Sequence, residues 1–116
     1  MNTANCLFCK IAGGTIPAKK VLETSDILIF EDIHPKAPVH LLAIPKKHLV
    51  SIMDFGEGDG LLLSALFQGM KQVAVEKKIA APGFRLVVNN GSDAGQEVPH
   101  LHFHLLAGRK LAWPPG

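Results

Sequence analysis

The sequence lacks the features that mark secreted, membrane-spanning or nucleic-acid-binding proteins. Its 116 residues contain two cysteines, one tryptophan and no tyrosine. No apolar run approaches the ~20 residues needed to cross a bilayer, and the first residues lack the basic and apolar segments of a secretory signal. The net charge of +2 is carried by scattered lysine pairs, which form no basic stripe for a nucleic-acid backbone. These absences predict a cytoplasmic protein that binds neither nucleic acid nor a membrane.

Length and composition favour one globular domain over residues 1–116. The chain is 47% hydrophobic and 19% charged, which is enough apolar surface to form a core. A helical period of apolar residues predicts one long helix from Asp59 to Ala81, and a short helix is expected near Cys6–Ile11. Five strands are predicted at Lys20–Glu23, Ile27–Asp32, His40–Ile44, Phe84–Asn89 and His100–Ala107. The fold class is therefore α+β with an antiparallel five-stranded sheet.

The last predicted strand carries a histidine at every second position, in the run His-Leu-His-Phe-His-Leu-Leu from His100. Alternate residues of a strand point to the same side, so His100, His102 and His104 would share one face at intervals of roughly 6.6 Å. Imidazoles titrate near neutral pH and can attack, donate a proton or orient a substrate. This placement predicts an active site, whereas a single histidine such as His40 is more often a hydrogen-bonded core residue.

Two interpretations of the histidines remain open from the residues alone. A His-x-His pair on a strand can place His102 and His104 on one zinc ion. The preceding loop, Asn89 to Gln96, is rich in glycine, asparagine and aspartate, which suits a turn whose backbone N–H groups bind an anion. The loop favours phosphoryl or nucleotidyl chemistry without metal, although a plain hairpin connection would have a similar composition.

The two cysteines, Cys6 and Cys9, form a C-x-x-C pair. Such a pair is compatible with a redox site, with half of a zinc site, or with ordinary apolar cysteines. No strand precedes it, which disfavours a thioredoxin-type motif.

Gly95-Gln96 followed by the histidine run resembles the signature of the histidine triad (HIT) superfamily. Blocks along nearly the whole chain resemble its histidine triad nucleotide-binding (Hint) branch: Phe8–Ile11, Ile16–Lys19, Phe30–Ile33, Ala37–His40, Ile44–His48, Phe84–Asn89 and the closing Trp-Pro-Pro-Gly. The resemblance implies a meander sheet and a homodimer in which two sheets join. It also implies hydrolysis of purine nucleoside 5′-phosphoramidates through a nucleotidyl-histidine, with release of AMP or GMP and no cofactor for the chemistry.

The resemblance also implies the roles of individual residues. His102 would be the nucleophile, and His104 and His40 would contact the α-phosphate, with His100 as the first member of the triad. Asp32 would hold the ribose hydroxyls. The rest of the purine nucleotide would contact Phe8, Ile11, Ile16, Ile33, Asn89, Glu97 and Val98.

Some bacterial members with an N-terminal C-x-x-C resemble zinc proteins. By that resemblance Cys6, Cys9, His48 and His100 would form a closed Cys2His2 site, and such sites are structural. The zinc would pin the N-terminal helix to the sheet.

One position departs from the family pattern. Many eukaryotic members have serine where this chain has Glu97, and that hydroxyl is thought to help the leaving group. The alternative functions are therefore a nucleotide-binding or protein-interaction module with vestigial catalysis, or a dinucleoside polyphosphate hydrolase. The Trp-Pro-Pro-Gly tail argues against the last of these, which belongs to a sister branch.

Overall fold

The computed structural model describes residues 3–116. Two helices and five strands follow one another in the order α1 (Leu7–Ala12), β1 (Lys20–Glu23), β2 (Ile27–Glu31), β3 (Val39–Pro45), α2 (Gly60–Glu76), β4 (Arg85–Val88) and β5 (Phe103–Ala107). Single 3-10 turns occur at Thr3–Asn5, Ile52–Asp54, Glu57–Asp59 and Ser92–Ala94. The predicted α+β class, with one long and one short helix, is confirmed. Within residues 3–116, no helix combines the length and apolarity needed to cross a membrane.

The five strands form one antiparallel sheet in the order β1-β2-β3-β5-β4. The first hairpin turns at Thr24, whose hydroxyl accepts hydrogen bonds from the N–H groups of Asp26 and Ile27, as expected for a threonine in a turn. After α2 the chain returns to the far edge as β4, and β5 then lies between β4 and β3. This order makes β3 and β5 neighbours, which brings His40 and His104 close together although they are far apart in sequence.

The sheet is covered on both faces by different helices. The α2 side contains the larger core, in which Leu66, Met70 and Val73 pack over Leu41 and Leu105. The α1 side contains a smaller core, in which Phe8 and Ile11 pack over Phe30 and Leu42. His104 lies on this second side, because Leu42 and His104 are paired across β3 and β5 and therefore share a face.

Two predicted boundaries are wrong. The long helix ends at Glu76 rather than Ala81, because Lys78 adopts a left-handed conformation (φ 60°) and the N–H of Ile79 then bonds back to the carbonyl of Ala74. The last strand begins at Phe103 rather than His100. The backbone before Phe103 bonds to a loop and not to a neighbouring strand. The N–H of Leu101 donates at 2.6 Å to the carbonyl of Leu49, which lies in the loop after β3.

Candidate active site and metal centre

Three histidines predicted from sequence meet on the α1 side of the sheet. The Nε2 atom of His40 lies 2.9 Å from Nδ1 of His104, and the ring centroids of His102 and His104 are 5.1 Å apart. His40 sits opposite Leu106, and His104 sits opposite Leu42, so the two rings approach along the diagonal of the β3–β5 pair.

A chain of hydrogen bonds determines which nitrogen of each ring carries the proton. The main-chain N–H of Lys36 donates to Nδ1 of His40 at 2.9 Å, so that nitrogen cannot carry a proton itself. The proton of neutral His40 is therefore on Nε2, and it is donated to Nδ1 of His104. Neutral His104 must in turn carry its proton on Nε2, which makes that nitrogen a donor.

His102 has the opposite arrangement. Its Nδ1 lies 2.7 Å from the main-chain oxygen of His100, and because a carbonyl only accepts, Nδ1 carries the proton. Nε2 of His102 is left with a lone pair, which is the state that a nucleophilic imidazole requires. The ring of Phe8 meets that of His102 edge-on at 5.0 Å and helps to hold its orientation. A lone pair on His102 thus stands beside a donor on His104.

Burial keeps the rings of His40 and His104 neutral. It lowers the pKa of His104 to about 4, with further lowering by the neighbouring His102 and His40, against which Asp32 acts weakly. Burial also lowers the pKa of His40, and the Asp32 carboxylate, 3.4 Å away, opposes only part of that effect. Both side chains therefore act as neutral hydrogen-bond donors at neutral pH.

Four metal-binding side chains meet beside this cluster. The ligand atoms of Cys6, Cys9, His48 and His100 all lie within 4.8 Å of one another. Nδ1 of His100 is 3.2 Å from Sγ of Cys6, 3.5 Å from Sγ of Cys9 and 3.2 Å from Nδ1 of His48. Tetrahedral zinc with Zn–S near 2.3 Å and Zn–N near 2.0 Å requires ligand atoms about 3.3–3.8 Å apart, so the group is close to that size.

The protonation of His100 also suits a metal ligand. Its Nε2 lies 2.8 Å from the carbonyl oxygen of Pro45 and must donate to it, which leaves the lone pair on Nδ1, directed at the cysteines. Burial and the neighbouring Cys6 raise the pKa of the Cys9 thiol to about 11, so a cation is needed to hold the Cys9 sulfur as a thiolate. These four residues could hold a structural metal ion.

The possible ligand atoms of a second group, Asp32, His40 and His104, also lie within 4.8 Å of one another, but the protonation of this group does not suit a metal. The Lys36 N–H forces a proton onto Nε2 of His40, and this proton occupies the position where a metal would need a lone pair. The cluster thus presents hydrogen-bond donors and suits an anion. This argues against the zinc-hydrolase interpretation of the triad.

His100 does not join its two neighbours around an anion. It is fully buried and both ring nitrogens are engaged by the Pro45 carbonyl and the cysteine cluster. The three rings do share the α1 side, since Leu101, Phe103 and Leu105 pack into the opposite core and Phe8 meets the rings of both His100 and His102 edge-on. His100 differs in that its ring is directed at the cysteines. His100 is linked to the other two triad histidines through its backbone oxygen, which accepts a hydrogen bond from Nδ1 of His102.

The residues predicted to contact the nucleotide differ in how exposed they are. Phe8 and Ile11 are 4% and 7% exposed and form part of the core, whereas Ile33 is 85% exposed and Ile16 is half-buried. Asp32 and Ile33 line a surface cavity of about 610 Å³ together with Pro17, Ala18, Lys19, Glu31 and Pro35. A base bound in this cavity would contact Ile33 and Asp32 more directly than Phe8.

The glycine-rich loop is closed on itself. The N–H groups of Gly91, Gly95 and Gln96 donate to acceptors within the loop, so these three are not available to an anion. The Gln96 side chain, whose role the sequence did not reveal, donates to the carbonyls of Val50 and Val98. Asn89 and Val98 are half-buried and Glu97 is exposed. Among residues 3–116, no hydrogen bond joins the side chains of these three to the histidine cluster.

Fold and site define an α+β domain with a helix on each face of an antiparallel sheet and a donor-rich histidine site. A family model described as scavenger mRNA decapping enzyme C-term binding matches residues 5–111. An uncharacterised 13.2 kDa HIT-like protein of Azospirillum brasilense is 47% identical over 108 residues, 92% of this chain and 88% of the relative. The chain therefore belongs to the histidine triad (HIT) superfamily.

Solved structures agree with that assignment. A HIT family hydrolase of Legionella pneumophila superimposes with a TM-score of 0.94 at 52% identity, covering 97% of this chain and all of the other. A histidine triad protein of Clostridium difficile gives 0.92 at 46% identity, with 97% of each chain covered. A histidine triad nucleotide-binding protein of Candida albicans gives 0.81 at 34% identity, covering 97% of this chain and 85% of the other.

Proposed function

We propose that this protein hydrolyses purine nucleoside 5′-phosphoramidates, forming a nucleotidyl-histidine on His102 and releasing AMP or GMP. The observation that supports this most is the pairing of a lone pair on His102 Nε2 with a donor on His104 Nε2. The names of the Legionella relative, a HIT family hydrolase, and of the Candida relative, a histidine triad nucleotide-binding protein, are consistent with the proposal.

In the first step, Nε2 of His102 attacks the α-phosphorus and the P–N bond breaks. The imidazole gains positive charge, which its Nδ1–H shares with the His100 carbonyl at 2.7 Å. The donor nitrogen of His104, supported by His40, stabilises the charge that develops on the phosphoryl oxygens. These rings are neutral and already oriented, so little reorganisation accompanies the reaction.

The departing nitrogen must take up a proton as the P–N bond breaks. Glu97 is exposed and offers no hydroxyl, so we infer that water supplies this proton. In the second step, water attacks phosphorus and gives a proton to the hydroxide left from the first step, the P–Nε2 bond breaks and the nucleoside monophosphate leaves. His102 regains its lone pair, and no metal takes part in either step.

The nucleotide would lie across the cavity beside Asp32, whose carboxylate would accept hydrogen bonds from the ribose hydroxyls. Ile33 and Ile16 would contact the purine, with Phe8 and Ile11 supporting them from the core. Asn89, Glu97 and Val98 would approach from the phosphate side. We propose further that the protein is a cytoplasmic homodimer whose sheets join. The edge strand β4 and the exposed side chains of Leu61 and Phe67 on α2 are available for a partner.

We propose zinc as the ion of the cysteine–histidine cluster. Two sulfur and two nitrogen donors in a closed, mostly buried group are typical of structural zinc. When bound, zinc would hold the Cys6 and Cys9 thiolates and fix α1 against the backbone that leads into β5. Phe8, between the two cysteines, then stays on the ring of His102.

The test of the activity is release of nucleoside monophosphate from a fluorogenic adenosine phosphoramidate by wild type and by His102→Ala. A reaction that depends on His102, with a radiolabelled adenylyl-enzyme trapped only in wild type, would support the proposal. Equal rates for both proteins would contradict it.

A second candidate is a nucleotide-binding module with vestigial catalysis, and the observation that favours it is Glu97. Glu97→Ser tests this directly, since the residue is exposed and the exchange should leave folding intact. A large gain of turnover in Glu97→Ser over a nearly inactive wild type, with unchanged AMP affinity, would favour the binding module. Similar turnover in both would favour the hydrolase.

A further inference from the structure

We propose that Lys36, through its main-chain N–H, and Arg109, through the Lys36 carbonyl, are positioning residues that fix the proton of His40 on Nε2. This inference rests on the proposed function for its catalytic meaning, although the geometry stands without it. Neither residue touches the reacting atoms. Each acts through the hydrogen bond from His40 to His104.

The Lys36 amide has this role because of the direction of one hydrogen bond. The N–H donates to Nδ1 of His40 at 2.9 Å, and the His40 side chain is only 4% exposed, so water cannot easily replace that donor. Without the N–H, neutral His40 could carry its proton on Nδ1 and would then present a lone pair to His104. His104 would have to place its own proton on Nδ1, and its Nε2 would face the phosphate with a lone pair instead of a donor.

The loop that carries the amide is held by residues immediately after β5. Nη2 of Arg109 donates to the Lys36 carbonyl at 2.9 Å. Gly108 adopts φ +96°, and a Cβ built there would lie 2.7 Å from Cβ of Pro38, so the two segments are in close contact. The segment that follows His104 thereby supports the loop that orients His40, which couples both ends of the hydrogen-bond chain.

The Lys36 side chain is not part of the hydrogen-bond chain, and its positive charge acts on His40 only by further lowering the pKa of that ring. It is exposed, and among the described residues neither a hydrogen bond nor an ion pair involves its amino group. Lys36→Ala therefore keeps the important N–H, whereas Lys36→Pro removes it. The two variants form a matched pair.

The experiment is ¹⁵N NMR of the histidine rings in wild type, Lys36→Ala and Lys36→Pro, combined with turnover of the adenosine phosphoramidate. In wild type and Lys36→Ala, His40 should be protonated on Nε2 and unprotonated on Nδ1. Lys36→Pro should show a mixture of tautomers and turnover lower by about 10- to 100-fold, less than the ~10²- to 10³-fold that follows complete loss of one preorganised donor, because part of the molecules keep the Nε2 tautomer. Wild-type His40 protonated on Nδ1, or a Lys36→Pro protein with unchanged tautomer and rate, would overturn the proposal.

Arg109→Ala provides a second route in case proline prevents folding. We expect a partial shift of the His40 ring resonances and a turnover loss of several-fold, with Lys110→Ala as the neighbouring control. Unchanged ring resonances in Arg109→Ala would remove Arg109 from the proposal. Since the NMR readout needs no substrate, failure of the phosphoramidase assignment alone would leave these spectra as expected and is distinguishable from failure of this inference.

Discussion

Two histidine clusters lie side by side in this protein, and they differ in where their protons are. In the cysteine cluster, the Pro45 carbonyl accepts a hydrogen bond from the Nε2–H of His100. The lone pair of that ring is therefore on Nδ1, which faces Cys6. In the cluster of His40, His102 and His104, the Lys36 N–H donates to Nδ1 of His40. The His40 proton is therefore on Nε2, which donates to Nδ1 of His104. Both clusters satisfy the same distance criterion for a metal. One backbone acceptor and one backbone donor therefore separate a cluster that suits a metal from a cluster that suits an anion.

The comparison shows that histidine proximity alone does not identify a site. A carbonyl behind an imidazole prepares the opposite nitrogen as a ligand or nucleophile, which is the situation of both His100 and His102. An N–H behind an imidazole prepares the opposite nitrogen as a donor, which is the situation of His40. The outer hydrogen-bond partner decides the chemistry.

The largest effect is expected for His102→Ala, which removes the ring that we propose as the nucleophile. Phosphoramidate turnover should fall by at least ~10³-fold, because no other group replaces the nucleophile. Steady-state release of AMP measures this. His34→Ala, at an exposed histidine outside both clusters, is the control and should retain wild-type turnover.

The metal site is tested by Cys6→Ser and Cys9→Ser. Wild type purified without chelator should contain about one zinc per chain, and each variant should lose it. Loss of a tightly bound ion should lower the free energy of unfolding by about 3 kcal/mol or more. Elemental analysis and urea denaturation provide the readouts.

Asp32→Asn is the matched control for the metal, since it alters the other cluster. Its zinc content should equal that of wild type. Zinc lost from Asp32→Asn but kept in Cys6→Ser would reverse the assignment of the two clusters.

Smaller losses of turnover are expected for substitutions of His104, and they distinguish a role as a hydrogen-bond donor from a role that needs a charged ring. His104→Gln keeps an N–H donor and should lose about 10-fold in turnover, whereas His104→Ala should lose about 100-fold. Kinetics of both variants at saturating substrate decide this. Equal losses would indicate that the donor is not what His104 contributes.

The smallest effect is on stability as the pH falls. Burial lowers the pKa of folded His104 to about 4 from an ordinary value of 6.5. Between these values the unfolded chain binds a proton that the folded chain does not, so His104 contributes its full stability above pH 6.5 and loses it as the pH falls toward 4. Urea denaturation across this range should give a shallower decline for His104→Gln than for wild type. Parallel curves would contradict the lowered pKa.

Much of the fold could be predicted from periodicity. The apolar run that opens the predicted strand Ile27–Asp32 and the helical spacing of Leu66, Met70 and Val73 predicted elements that the structure contains. The end of α2 could not be predicted, because a lysine in a left-handed conformation has no sequence signal. The start of β5 depends on a bond from Leu101 to Leu49, a contact between distant segments.

The residues of the candidate site could be predicted from the sequence, but the hydrogen-bond partners that give its two clusters different protonation could not. The motif and the resemblance identified His40, His102 and His104, and the cysteine spacing identified Cys6 and Cys9. The contribution of the Lys36 amide had no signal, since any residue but proline supplies an N–H. Likewise the Gln96 side chain gave no indication that it bonds to the distant Val50 carbonyl.

The order of residues by itself determined the alternating histidines, the paired cysteines and the apolar periods, because these are local patterns that neighbouring positions express. Tertiary structure alone decided the protonation of His100 and His104, since the partners of these two rings come from distant parts of the chain. Pro45 is 55 positions from His100, and His40 is 64 from His104. A proton on an imidazole is placed by what lies behind the ring, and only folding brings that partner there.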